Sequence, residues 1–186
     1  KEHHDWYVIE ISSFQLDGTT TFHPHIGILL NITPDHLDRY DYKMQNYINS
    51  KFRLIQNMNA DDYFIWYSED VVTSAEVSKR SISSSAMPVS LRSPSNAPAH
   101  FDSDAMTFTF GDASFKISQA ETTLKGPHNL INTMSAVTAV HLAGATVDQI
   151  RKGLKTFKNA PHRLESVATV NGVEFVNDSK ATNVDS

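Results

Sequence analysis

Ile26-Gly27-Ile28-Leu29-Leu30, the segment from Met44 to Met58, and Tyr63-Phe64-Ile65-Trp66-Tyr67 together decide the fold class. The first and last are short, nearly continuous apolar runs, the pattern of strands buried on both faces of a parallel sheet. Between them, apolar residues at 44, 47, 48, 54 and 55 recur at the helical period. Strand, helix and strand in succession predict an α/β domain with a mainly parallel sheet flanked by helices.

Working outward, Trp6-Tyr7-Val8-Ile9-Glu10-Ile11 predicts a further buried strand, and Ser12 to Thr21 a short helix and turn. Ser81 to Pro98, rich in Ser, Pro and Ala, reads as loop with short strands. Ala105 to Phe110 and Ala113 to Ile117, joined at Gly111-Asp112, read as a hairpin, hence a small antiparallel β-subsheet. Pro127 to Ala143 and Thr146 to Lys158 predict two helices. The second opens on a capping box of Thr146 and Gln149 and has a core face of Val147, Ile150, Leu154 and Phe157. Composition shifts after Asn159-Ala160-Pro161. There, Val167 to Val170 and Val173 to Val176 flank Asn171-Gly172, the strongest two-residue hairpin turn signal. Residues 1–158 are therefore expected to form one domain and 159–186 the opening of a second.

The remaining composition narrows the function classes. The 186 residues are 40% hydrophobic and 20% charged, ordinary for a globular protein. No apolar run is long enough to span a bilayer, and the start, Lys1-Glu2-His3-His4-Asp5, has no apolar signal segment. A net charge of −5 gives no electrostatic reason to expect nucleic-acid binding. The absence of cysteine excludes disulfides, thiolate metal sites and a cysteine nucleophile, and fits a reducing cytoplasm. Nine histidines are scattered, without HExxH spacing. A chain that opens on Lys1 and ends on Asp185-Ser186 is expected to be a piece of a longer protein.

Five places carry residues suited to chemistry. Glu10 falls inside a run expected to be buried, so its carboxylate should be paired, protonated or on a metal. Asn31-Ile32-Thr33-Pro34-Asp35-His36-Leu37-Asp38-Arg39-Tyr40 occupies the βα loop after the second strand, at the sheet edge where open α/β folds bind ligands. Its carboxylates suit hard cations or helix caps, and His36 a metal or a phosphate. Lys51 lies on the apolar stripe of its helix, where a lysine either snorkels to water or has its pKa depressed by burial. Asn129 and Asn132 share a face at a helix start after Gly126-Pro127, fit for capping or for contacts to a nucleobase. Asp178-Ser179-Lys180-Ala181-Thr182-Asn183 is short-chained and polar, which suits phosphate contacts as well as an ordinary surface loop. No GxxxxGK[ST] phosphate loop occurs in the sequence.

In this order, the segments resemble the Mur ligase family. The resemblance rests on Val8-Ile9-Glu10-Ile11-Ser12-Ser13-Phe14-Gln15-Leu16, Asn31 to Tyr40, Ser50-Lys51-Phe52-Arg53, Gly126 to Asn132, Pro161-His162-Arg163-Leu164-Glu165, and Asn177 to Asn183. Only Ser81 to Thr122 lies outside it. Ser12-Ser13-Phe14-Gln15-Leu16 and Asn177-Asp178-Ser179-Lys180-Ala181-Thr182-Asn183 point to the D-glutamate-adding members. Other Mur ligases and folylpolyglutamate synthases share the Glu10, Asp35-His36, Lys51 and His162-Arg163 positions, and a noncatalytic α/β binding module is the reading from another class.

The resemblance implies three domains, of which this chain would be the central ATP-binding one plus the start of the C-terminal one, with the phosphate loop upstream of Lys1. The chain by itself is then expected to be inactive. The implied reaction is ATP-dependent addition of D-glutamate to UDP-N-acetylmuramoyl-L-alanine through an acyl phosphate, in peptidoglycan synthesis. The cofactors would be ATP and Mg²⁺, with no nucleic-acid partner and no membrane insertion. By resemblance, Glu10 would ligate Mg²⁺, and His36 and a carbamylated Lys51 would sit at a second metal, the carbamate being expected only in the intact enzyme. Asn129 and Asn132 would contact adenosine, and Arg163, Asp178, Lys180 and Thr182 would line the nucleotide.

Overall fold

The computed structural model describes residues 3–93, 95–124 and 126–180. Its main sheet has six strands in sequence order: β1 (Ile26–Leu29), β2 (Tyr63–Tyr67), β3 (Ser85–Ser90), β4 (Ala99–Asp102), β5 (Ala105–Phe110) and β6 (Ala113–Ser118). The first four run parallel and the last three form an antiparallel meander. The structure thus has the mainly parallel sheet and the antiparallel subsheet read from the sequence. A separate hairpin pairs β7 (Glu165–Val170) with β8 (Val173–Asn177), and its turn residues Asn171 and Gly172 both have positive φ, 51° and 81°. A tight hairpin requires that geometry, and Asn-Gly supplies it at least cost.

Two apolar clusters sandwich the sheet. Strand β2 alternates between them: Phe64 and Trp66 face one and Ile65 the other, as the two-residue period of a strand dictates. The first cluster is built by α1 (Ser13–Asp17) and α2 (Met44–Phe52), with Leu16, Tyr47, Ile48, Phe52 and Leu54 buried. The second is covered by α4 (Pro127–Leu142) and α5 (Val147–Thr156) through Leu130, Ile131, Met134, Val137 and Ile150. At Gly27 an added Cβ would meet Met58 Sδ at 3.2 Å, so glycine lets the chain after α2 close onto β1.

The structure departs from the sequence pattern at Trp6 to Ile11, at Val71–Lys79 and at Phe157. Trp6 to Ile11 forms no strand: Trp6, Tyr7, Val8 and Ile9 are 47%, 66%, 101% and 62% exposed. A strand needs a hydrogen-bonded neighbour, and β-forming side chains express their preference only against packed partners. Here β1 is the edge of the sheet and this run pairs with nothing in it. Glu10 is accordingly exposed, not buried. Second, α3 (Val71–Lys79), started by Asp70 accepting the Thr73 N–H at 2.8 Å, was not foreseen. Within Ser81 to Pro98, expected to be loop with short strands, Ser85–Ser90 forms a strand inside the sheet despite Pro88, which lies outside the two residues of β3 that pair with β4. Phe157, expected on the core face of α5, lies just beyond the helix and is 47% exposed.

Candidate active site

The chain leaves β1 at its C-terminal end, buries Ile32 and runs as a loop into a 3-10 turn at Leu37–Tyr40. His36, Asp41 and Tyr42 all hold positive φ, at 49°, 54° and 56°. For non-glycine residues this is uncommon, and such backbone collects at functional sites. The bends are fixed from below. The Tyr40 hydroxyl lies 3.0 Å from Asp17 Oδ2 and 3.2 Å from Ser50 Oγ, and the Ser50 hydroxyl donates to the Ser13 carbonyl at 2.8 Å.

Lys51 is half-buried on α2, with Nζ 5.0 Å from the centre of the Tyr47 ring. Desolvation lowers its pKa, and the Asp35 carboxylate pulls in the opposite direction. The Tyr47 phenol is pushed up to about 12, by burial first and then by Asp35 and Tyr40. Asp35 also lies 3.5 Å from His36 Nε2. The His36 ring meets Phe14 edge-on at 5.3 Å. His36, Asp35 and Lys51 therefore share one corner of the sheet edge, over α1. Asp35, which acts on Lys51 and touches His36, is the residue the sequence reading undervalued as a cap.

Glu10 makes no hydrogen bond or ion pair among the described residues, and no trio of His, Asp or Glu there could hold a metal. As they stand, His36 and Lys51 do not by themselves make a cation site, because an unmodified lysine is a cation.

The second group of expected residues lies around the start of α4. Gly126, at φ 92°, and Pro127 begin the helix, and Asn129 lines a cleft of about 580 Å³ with residues 157–161, Arg163, Glu165 and Glu174. Asn132 instead opens onto an adjoining apolar groove between α4 and α5, which shares Thr123, Leu124 and Phe157 with the cleft. Arg163 sits between His162 and Leu164, both at positive φ. That turn is locked by the next loop: the Leu164 N–H donates to Asp178 Oδ1 at 3.1 Å, and the Lys180 N–H to the His162 carbonyl at 3.0 Å. Arg163, Asp178 and Lys180 are thus gathered together. Thr182 lies outside the described residues.

Residues 1–140 match the model of the Mur ligase middle domain. The chain belongs to the Mur ligase family. It is 46% identical over all 186 residues to the UDP-N-acetylmuramoylalanine--D-glutamate ligase of Bacteroides thetaiotaomicron, and it spans 42% of that protein's length. Among solved structures it resembles MurF from Acinetobacter baumannii, with a TM-score of 0.63 and 20% identity over 83% of this chain and 34% of that one. It also resembles a MurF ligase from Thermotoga maritima in complex with ADP, with a TM-score of 0.57 and 18% identity over 83% of this chain and 35% of that one. At that identity the two structures bear on the fold alone. Of the expected site residues, Glu10, His36, Lys51, Asn129 and Asn132 fall within the Mur ligase match, and Arg163, Asp178, Lys180 and Thr182 lie beyond it.

Proposed function

We propose that this chain is the ATP-using part of a ligase that joins D-glutamate to UDP-N-acetylmuramoyl-L-alanine in peptidoglycan synthesis, in the cytoplasm. The observation that carries the reading is the 46% identity to a D-glutamate ligase along the whole chain, through both groups of site residues.

The acceptor carboxylate would attack the γ-phosphorus of ATP, forming a P–O bond to the carboxylate as the bond to the β-phosphate oxygen breaks and ADP leaves. The D-glutamate amine would then add to the acyl carbon, and phosphate would depart from the tetrahedral intermediate as the amine loses its proton. Protein groups serve such a reaction chiefly by positioning and by fixed charge. In this reading Asn129, Asn132, Arg163, Asp178, Lys180 and Thr182 hold the nucleotide along the cleft beside α4. His36 and Lys51 face the transferred phosphoryl group. In the intact enzyme the partly desolvated Lys51 ammonium would lose one proton to give the amine, which would add CO₂ and lose a second, replacing a cation by an anion.

A Mg²⁺ requirement belongs to the proposal on the strength of the family, as does Glu10 as its ligand. Mg²⁺ usually keeps several waters and takes one or two carboxylates together with substrate phosphates, so it needs no closed protein cage. Residues 1–158 would be the nucleotide-binding unit and 159–186 the opening of the next, in keeping with a β7–β8 hairpin that contributes to neither core cluster. Without a GxxxxGK[ST] loop, the 186 residues alone should not turn over ATP.

The test is an intact ligase carrying these residues, offered ATP, UDP-N-acetylmuramoyl-L-alanine and a panel of amino acids, with products weighed by mass spectrometry. The expected product gains one D-glutamate. A product carrying lysine or diaminopimelate instead would overturn the specificity.

A further inference from the structure

Arg39 stands out on the active-site corner because nothing in the proposed function uses it. It is exposed, and among the described residues it has no carboxylate partner, although Asp35, Asp38 and Asp41 share its loop. Its guanidinium is nevertheless placed, with Cζ 4.5 Å from the centre of the Phe14 ring. The same ring receives the edge of His36 at 5.3 Å and stacks on Tyr40 at 6.1 Å with 13° between the planes. One aromatic platform therefore carries two side chains able to bind anions.

The platform is rigid for its size. Helix α1 has only five residues, but a full capping box of Ser12 and Gln15 closes its start. Three groups from α2 and the turn after it hold the helix and its exit from the other side. Ser50 donates to the Ser13 carbonyl at 2.8 Å, Arg53 Nε to the Leu16 carbonyl at 2.9 Å, and the Arg53 guanidinium to the Thr19 carbonyl. Asn57 adds bonds to the Thr20 and Phe22 carbonyls at 2.9 and 2.8 Å. A guanidinium held over a fixed ring keeps its planar fork of donors free for a carboxylate or phosphate and loses little freedom on binding.

We propose that Arg39, seated on Phe14, is a binding residue for an anionic group of the UDP-muramoyl substrate rather than of ATP. Its place carries the distinction: Arg39 rides the loop after β1 with His36, which this reading puts at the transferred phosphoryl group where the acceptor meets ATP, whereas the cleft assigned to the rest of the nucleotide is lined by Asn129 of α4, residues 157–161 and 163–166 and their neighbours, and by no residue of that loop. The bound group is either the alanyl carboxylate or the diphosphate, which offer the guanidinium the same chemistry. The inference rests on the ligase reading above.

The experiment is steady-state kinetics in an intact ligase carrying these residues. Arg39→Ala should raise KM for UDP-N-acetylmuramoyl-L-alanine about tenfold or more, the scale of a lost charge-assisted hydrogen bond, and leave KM for ATP within about twofold. Arg39→Lys should recover only part of the loss, because an ammonium neither stacks flat nor bonds bidentately. Phe14→Leu should raise the same KM with Arg39 intact. Inhibition by UDP separates the two sources. If UDP binds equally well to wild type and Arg39→Ala, Arg39 holds the carboxylate; if UDP weakens in parallel with the substrate, it holds the diphosphate. An unchanged KM for the muramoyl substrate in Arg39→Ala, or equal rises for it and for ATP, would overturn the inference. Failure of the wild-type ligase to form any product would count against the ligase reading instead.

Discussion

Lys51 holds its Nζ 5.0 Å from the centre of the Tyr47 ring, and there burial lowers its pKa while the charge of Asp35 pulls the other way. The place supplies what a carbamate-forming lysine needs: an amine shifted toward its neutral form by burial, on a helix, beside groups that would contact a phosphoryl group. Small carboxylic acids added to a Lys51→Ala ligase should therefore restore part of the lost rate by occupying the vacated anion site. The same acids without effect over a wide concentration range would show that no such site exists.

At the opposite end of the sheet, Asp62 is buried and accepts from the Asn59 N–H at 2.8 Å, His23 Nε2 at 2.5 Å and His25 Nδ1 at 3.0 Å. Burial opposes its charge, yet these bonds bring its pKa from 3.8 down to about 2. A folded-state pKa below the unfolded one stabilises the fold above the unfolded pKa and is lost as pH falls through the folded value. Urea unfolding should show stability draining away between about pH 4 and pH 2, with a smaller loss over that window in Asp62→Asn. An identical pH profile in the variant would contradict this role.

The β7–β8 hairpin is exposed along nearly all its length and belongs to neither core cluster. A lone hairpin is marginal in water. Hydrogen exchange should find its amides far less protected than those of β2, where Phe64 and Ile65 are fully buried. Equal protection would mean that residues 159–180 are part of the cooperative core.

Glu10 carries the family expectation of a Mg²⁺ ligand without the buried strand that first drew attention to it. Glu10→Gln keeps the side-chain shape and removes the charge. In an intact ligase it should raise the Mg²⁺ concentration needed for half-maximal rate by about tenfold or more, the scale of a lost charged contact. Wild-type magnesium dependence would remove Glu10 from the site.

What the sequence made legible follows from range. The strands β1 and β2, the helix α2 and both hairpins announce themselves through local periodicity or turn chemistry, and they are where that chemistry places them, except that α2 stops at Phe52 and gives way to a 3-10 turn at Arg53–Ile55 short of Met58. Trp6 to Ile11 has an equally strong local pattern, but a strand is defined by its neighbour. Helix α3 fails for the opposite reason: Val71 is 81% exposed while Glu76 is buried. Glu76 is held there by Lys79 and Arg80, each at 2.9 Å, so the core face of Val72, Thr73, Glu76 and Val77 mixes polar with apolar residues and shows no clear apolar stripe. At the site, Lys51 was visible as a charge on an apolar stripe. The left-handed turns at His36, Asp41 and Tyr42 separate Asp35 from Lys51 in the chain, and Phe14 meets His36 because α1 docks on α2; no local pattern encodes either.

The claim that this corner is the working site of a D-glutamate ligase is tested most directly at Lys51. The measurement is D-glutamate-dependent phosphate release by an intact ligase carrying these residues, compared with its Lys51→Arg variant. Arginine keeps the positive charge and cannot carry CO₂. The account predicts that the wild type releases phosphate only when D-glutamate and UDP-N-acetylmuramoyl-L-alanine are both present. It predicts that Lys51→Arg, still folded by circular dichroism, loses about a hundredfold or more in rate, as expected when preorganised charge is removed from the transition state. Wild-type phosphate release by Lys51→Arg would contradict it.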